Sequence, residues 1–261
     1  MVSVGNGAVV TWTGGTDNSW ATAANWSAGK VPTAADDVVI GSSVTVSASA
    51  IVGKTLTLSG GGQLNANGSY GIGSTTIGDG GKLVTGQQIS GSITLQAGGT
   101  LNVSGVFRAG NGVAGQTVYV QTGGTASSSG WLTLGAGTSG GAANSVKIQG
   151  GTLVASATDG NTAAFGLTGS TNVEISENIT GVSTQMDFTS LAIGSRNGNN
   201  ANNLSSVRMS GGTMLIRSTN NFFKMGHYGL YIGLNDAMNS GAQGEMLLSG
   251  GLVNVLSGTG G

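Results

Sequence analysis

Apolar and polar residues alternate along most of this chain, in runs too short for helices and broken by paired glycines. Ile93 to Val103 reads ITLQAGGTLNV, Val146 to Ala155 reads VKIQGGTLVA, Val207 to Ile216 reads VRMSGGTMLI and Met246 to Val255 reads MLLSGGLVNV. Each is an apolar–x–apolar run, a polar or small residue, two glycines and a second alternating run. Period-two alternation predicts strands, and the glycines predict corners. VYVQTGG at Val118 is a further copy, and LTLSGGGQL near Leu56 and IGDGGKLV near Ile77 are shorter ones. VEISENIT at Val173 carries Glu177 and Asn178 where the others carry glycine.

A third element, apolar–x–apolar–Gly, falls between these units: YGIG ending at Gly73, FRAG at Gly110, LTLG at Gly135, LAIG at Gly194 and LYIG at Gly233. One repeat therefore reads as three short strands and three turns. From Gly98 to Gly250 is 152 residues, read as six steps of about 25, a solenoid period. Each strand type returns only after two others, an order that favours like strands stacking in parallel over the hairpins of a sandwich. The expected fold is all-β: a parallel β-helix with three short strands per coil, right-handed by the crossover preference. Inward residues such as Val146 and Ile148, Val207 and Met209, or Leu191 and Ile193 would form columns along its axis. Residues 1–45 are expected to form a tryptophan-rich cap or assembly segment, and 46–261 one continuous set of repeats.

The opening segment, TWTGGTDNSWATAANWSAGKVPTAADDVVI from Thr11 to Ile40, differs from everything after it. It holds Trp12, Trp20 and Trp26, three of the four tryptophans. Large rings ahead of the first repeat suit the capping that a solenoid end requires. A sugar-binding aromatic platform is the rival reading. With Asn25, Pro32 and the Asp36–Asp37 pair, this spacing resembles the start of β-helical cell-surface proteins of Gram-negative bacteria, including autotransporter-like passengers and large repeat proteins with sorting tails. The resemblance implies an extracellular β-helix used as a stalk, adhesin or coat, and brings no catalytic residues with it.

Composition sharpens this picture. Of 261 residues, 51 are glycine, one is proline, none is cysteine, and only 7% are charged, against roughly 25% in ordinary soluble domains. A hydrophobic fraction of 38% with net charge −1 argues for order over glycine-rich disorder. The near-neutral balance lacks the basic footprint of a nucleic-acid binder and removes charge repulsion between copies. No apolar run is long enough to span a membrane, and MVSVGNGAVVTW has no basic-then-apolar leader.

Candidate chemistry is sparse. GNGVAG at Gly110 and GAGTSG at Gly135 match G-x-G-x-x-G, but a dinucleotide site needs a following helix and neither stretch predicts one. His227 has no nucleophile or orienting partner in reach of a motif. It sits among Phe222, Phe223, Tyr228 and Tyr231, a cluster expected to pack under a loop or meet another subunit. Among acids, Asp36 and Asp37 should face opposite ways on a strand, and Glu174 and Glu177 read as solvated surface flanking a turn; glycoside cleavage needs a carboxylate pair. Calcium has only weak oxygen-rich candidates in Asp17, Asn18 and the stretch 197–203. Ice binding would need stacked Thr-x-Thr, and the alignment gives only Thr55 with Thr57, without stacked copies.

The last stretch, MLLSGGLVNVLSGTGG, predicts an open end with Leu252, Val253 and Val255 at an unpaired edge, a template for another chain. The expectation is an extracellular structural protein, not an enzyme and without cofactor, that assembles with itself head-to-tail. MVSVGNGAVV is the candidate strand donated to the neighbour. The alternatives are a length of a longer adhesin stalk, and a β-helix that binds or cuts cell-surface polysaccharide.

Overall fold

The computed structural model describes residues 7–86, 91–137, 141–156, 163–166, 169–177, 182–193, 204–218, 229–232 and 243–257. Every strand pairing among them is parallel. The chain begins with β1 (Val9–Thr11), a 3₁₀ turn at Ala23–Asn25, β2 (Asp37–Ile40), β3 (Thr45–Leu58), β4 (Gln63–Ile77) and β5 (Lys82–Thr85). A three-strand circuit then repeats: β6 (Ser92–Leu95), β7 (Thr100–Val103) and β8 (Phe107–Ala109); β9 (Thr117–Gln121), β10 (Thr125–Ser128) and β11 (Leu132–Leu134); β12 (Asn144–Ile148), β13 (Gly151–Ala155) and β14 (Ala163–Phe165); β15 (Thr171–Ile175), β16 (Thr184–Phe188) and β17 (Ser190–Ile193). The remaining strands are β18 (Leu204–Ser218), β19 (Gly229–Ile232) and β20 (Gln243–Ser257).

Like strands lie on like strands, so the arrangement is solenoid-like and all-β. One stack runs β6, β9, β12, β15 and the first half of β18; a second runs β5, β7, β10, β13, β16 and the second half of β18; a third runs β8, β11, β14, β17 and β19. β4 and β18 each pass through a corner and pair in two stacks, which joins the first two into a closed ring of eleven strands. Sequence patterns could not foresee that closure, because an unbroken strand and two strands with a bend look alike in alternation.

Inward positions form long columns. Ile40, Leu58, Ile77, Leu95, Gln121, Ile148, Ile175, Met209 and Leu248 succeed one another on neighbouring strands. All but Leu248 are fully buried. In the second stack the column is Val46, Leu64, Leu83, Leu101, Ala126, Leu153, Met186, Met214 and Val253. Each strand alone would expose its apolar face; stacking hides it against the circuits above and below, as in repeat proteins generally.

The circuit is not of constant length. Leu64 pairs with Leu83, a step of 19, and Leu83 with Leu101, a step of 18. Tyr119 to Val146 and Val146 to Val173 are steps of 27, Val173 to Val207 is 34 and Val207 to Met246 is 39. The span from Gly98 to Gly250 therefore holds five circuits, not six of about 25. No described strand of the early, shorter circuits lies in the third stack. YGIG, expected there, lies inside β4, where Ile72 faces Gly53 of β3. The third stack starts at Phe107 and includes a strand the alignment overlooked, β14, whose Phe165 sits between Leu134 and Ile193.

The glycine pairs do make the corners. Gly124 has φ 68°, and an added Cβ would lie 2.4 Å from the Gly99 carbonyl oxygen of the circuit below. Only glycine meets both demands. The G-x-G-x-x-G stretch at Gly110 leads into strand β9 and the one at Gly135 into β12. No helix follows either.

Candidate functional site

Trp12, Trp20 and Trp26 are all buried and belong to the continuous core. Trp26 meets Trp12 edge-on with ring centroids 5.0 Å apart, and Trp20 at 4.7 Å, the arrangement aromatic quadrupoles favour. Its Nε1 donates to the Trp20 carbonyl at 2.8 Å. With their faces inside the core, these rings offer no platform to a sugar.

Polar groups hold the cluster against the first strands. Trp20 N–H donates to the Ser47 carbonyl at 2.9 Å, and Ser47 N–H donates to the Asn18 carbonyl at 2.7 Å, so the segment at Ser19 lies along β3. Thr11 N–H donates to Ser27 Oγ, and Ser27 N–H to the Thr11 carbonyl, both at 2.9 Å. These bonds hold Thr11 on the outer side of β1, whose inner side pairs with β2 from Val9 to Thr11. Of the expected donor stretch MVSVGNGAVV, Val9 and Val10 are paired within the chain's own sheet. Residues 1–6 of the same stretch lie outside the described residues.

Two carboxylates brace this end. Asp36 is buried and accepts from Thr33 Oγ1 at 2.7 Å, Thr33 N–H at 2.8 Å and Ala8 N–H at 3.0 Å. Those bonds, the Thr33 hydroxyl first, hold its pKa down to about 2. Asp17 accepts from Ser19 N–H, Thr22 Oγ1 and Asn25 Nδ2 at 2.7–2.9 Å, and its pKa is lowered, chiefly by the Ser19 bond. Both act as anchors for loops. Among the described residues no three acids or histidines come together as a metal site. Asp37 and Glu174 stand apart on separate strands; Glu174 lies within β15, not beside a turn, and pairs with Lys147 at 3.8 Å.

The other end of the columns is different. β20 pairs with β18 along nearly its whole length, and no described strand pairs with its outer edge. Its exposed side chains include Leu248 at 49%, Leu252 at 56% and Val255 at 48%, while Val253 is partly buried against the core. Leu248 and Val255 are inward positions, beyond which no described strand lies. Leu247 and Leu252 point outward, where the strand beneath carries Arg208 and Thr213. β20 thus carries apolar side chains on both faces.

Of the other expected contact residues, Phe222, Phe223 and Tyr228 lie outside the described residues, as does His227. Tyr231 lies on β19, beside Ala192 of β17. Sequence reasoning missed the hydroxyl stacking on the outer face of the first stack: Thr57, Thr76 and Thr94 succeed one another, beside Thr55 and Ser74. The statement that Thr55 and Thr57 have no stacked copies is corrected by this register, which the STT and SIT runs alone do not disclose. No described helix is long and apolar enough to cross a membrane. Comparison with protein-family profiles, curated proteins and solved structures returns no match to this chain.

Proposed function

We propose that this chain is an extracellular structural protein, a right-handed parallel β-helix with three strands per full coil and a tryptophan-rich cap, that assembles end-on with copies of itself into a filament, sheath or coat. One observation carries the reading: β20 combines apolar side chains on both faces with an outer edge to which no described strand pairs. A paired sheet edge hides such groups, and edges meant to stay single bear lysine, proline or a bulge. Glu245 is the one charge on β20, so little repulsion opposes a second copy. Head-to-tail contact is heterologous and grows without limit unless its rotation closes a ring.

Because β1 is already engaged, the contact is docking of one end upon another, not exchange of a strand. Light scattering and electron microscopy of the purified chain at high concentration test this. Fibres or rings with an axial repeat of one solenoid length are expected; a monodisperse monomer at every concentration overturns it.

The buried tryptophan cluster favours a second reading, a stalk of a longer adhesin in which β20 is covered by further coils of the same polypeptide. A native polypeptide much heavier than this chain, with a monomeric 261-residue fragment, would select that reading.

A further inference from the structure

A cleft of about 360 Å³ opens on the outer face of the second stack. Its walls are outward side chains of three successive strands, β13, β16 and β18: Thr152, Gln185 and Thr213 in one column, Val154, Asp187 and Leu215 in the next. Parallel strands space neighbours within a column by about 4.8 Å, and two residues along a strand separate the columns by about 6.6 Å. Asp187 therefore lies between two branched apolar side chains, all three half-buried, with the Gln185 amide alongside on the same strand.

We infer that this cleft binds a neutral saccharide. A pyranose ring carries C–H groups on its faces and hydroxyls around its rim. Val154 and Leu215 suit the faces. The Asp187 carboxylate accepts from hydroxyls, and the Gln185 amide both donates and accepts, so together they suit a pair of adjacent hydroxyls. The volume lies at the low end of small-ligand sites, roughly 300–1,000 Å³.

Other ligand classes fit less well. A cation would find one carboxylate where hard-ion sites gather six or more oxygens. A nucleic acid or acidic glycan would find no lysine or arginine in the lining. An extended peptide adds to a sheet edge, and the central strand of the floor, β16, is paired on both sides. The inference is separate from the assembly reading: the cleft lies on the outer face of β13, β16 and β18, whereas assembly uses the far edge of β20, the strand paired to β18.

Affinity electrophoresis through gels containing dextran, galactomannan, mixed-linkage β-glucan or polygalacturonate tests it. Retardation by at least one neutral polymer and none by polygalacturonate is expected. Gln185→Ala and Asp187→Ala should each weaken the retarding interaction about tenfold, the loss of a hydrogen bond to a charged or well-placed group. Glu174→Ala, on the first stack, should leave it unchanged. Both cleft variants should keep the parent circular dichroism, Gln185→Ala being the milder change at an exposed position. Retardation by no neutral polymer, retardation only by polygalacturonate, or equal retardation of parent and folded cleft variants would each overturn the inference.

Discussion

Ile40 and Leu248 occupy the two ends of one inward column, and only Leu248 is open to solvent. The seven residues between them are fully buried. Among the described residues the column is therefore asymmetric along its axis: buried at the tryptophan end, exposed at β20. This asymmetry sets what each substitution should do.

Charges at the open edge should block association without touching the fold. Leu252→Lys with Val255→Lys places two like charges where a partner would dock, the device natural edges use. Fibres or oligomers seen with the parent should disappear by light scattering. The melting midpoint should move only slightly, because exposed substitutions usually stay within about 0.5 kcal/mol.

Truncation inside a column should behave oppositely. Ile148 is fully buried between Gln121 and Ile175, so Ile148→Ala removes contacts to circuits on both sides. A loss of about 2–5 kcal/mol is expected, read by denaturant unfolding. Leu252→Ala under the same conditions should cost far less.

Acid should loosen the tryptophan end first. Asp36 has its pKa depressed to about 2, below the unfolded carboxylate value of about 3.9. Its contribution is fully present above pH 4 and fades as pH falls toward 2. Tryptophan fluorescence should therefore shift over that window, earlier than far-UV circular dichroism. Asp36→Asn should lower the melting midpoint at pH 7 and flatten the acid response. A parent fluorescence signal unchanged from pH 5 to pH 2 would contradict the Asp36 linkage.

Alkali probes the interior. Tyr119 is fully buried, donates to Gln121 Oε1 at 2.9 Å and has its pKa pushed well above the ordinary phenol value by burial; Tyr70, against Thr75, is pushed up likewise. Stability from these phenols is complete below about pH 10, the unfolded value, and is lost as pH climbs toward the folded ones. Tyr70 and Tyr119 should contribute no tyrosinate absorbance at pH 11 until the protein unfolds. Tyr119→Phe leaves Gln121 Oε1 without its donor and should cost about 1–3 kcal/mol.

Corner glycines should divide by crowding. Gly124→Ala meets both a positive φ and the Gly99 carbonyl, whereas Gly112, φ 77°, has nothing within 4 Å of its would-be Cβ. Both substitutions strain the backbone by roughly 1 kcal/mol. Gly124→Ala should cost clearly more and shift the midpoint further, since its neighbour is backbone and cannot turn aside.

Alternation and paired glycines made the strands and their parallel order legible, because period two and a left-handed corner both leave marks in residue type. Register did not show. The Thr57, Thr76 and Thr94 column, and the step from 18 to 39 residues per circuit, depend on which run lies over which, and generic apolar runs stack equally well in several ways. β14 was missed because Ala163 and Ala164 carry little apolar signal, although Phe165 and Gly166 repeat the pattern of LTLG. The tryptophans stood out, but their burial depended on Ser27, Asn18 and Ser47 bonding back to the strands, long-range pairings that spacing does not encode. The cleft around Asp187 was invisible for the same reason: its two columns come from residues about thirty apart.

The columns hold their places while the circumference doubles between Leu64 and Met246. What lies above or below any position needs only to be apolar and of fitting bulk, so an inserted or deleted turn disturbs two interfaces and leaves the remainder intact. Such a scaffold can be lengthened by duplication and ornamented at its corners, generation by generation, without passing through an unfolded ancestor.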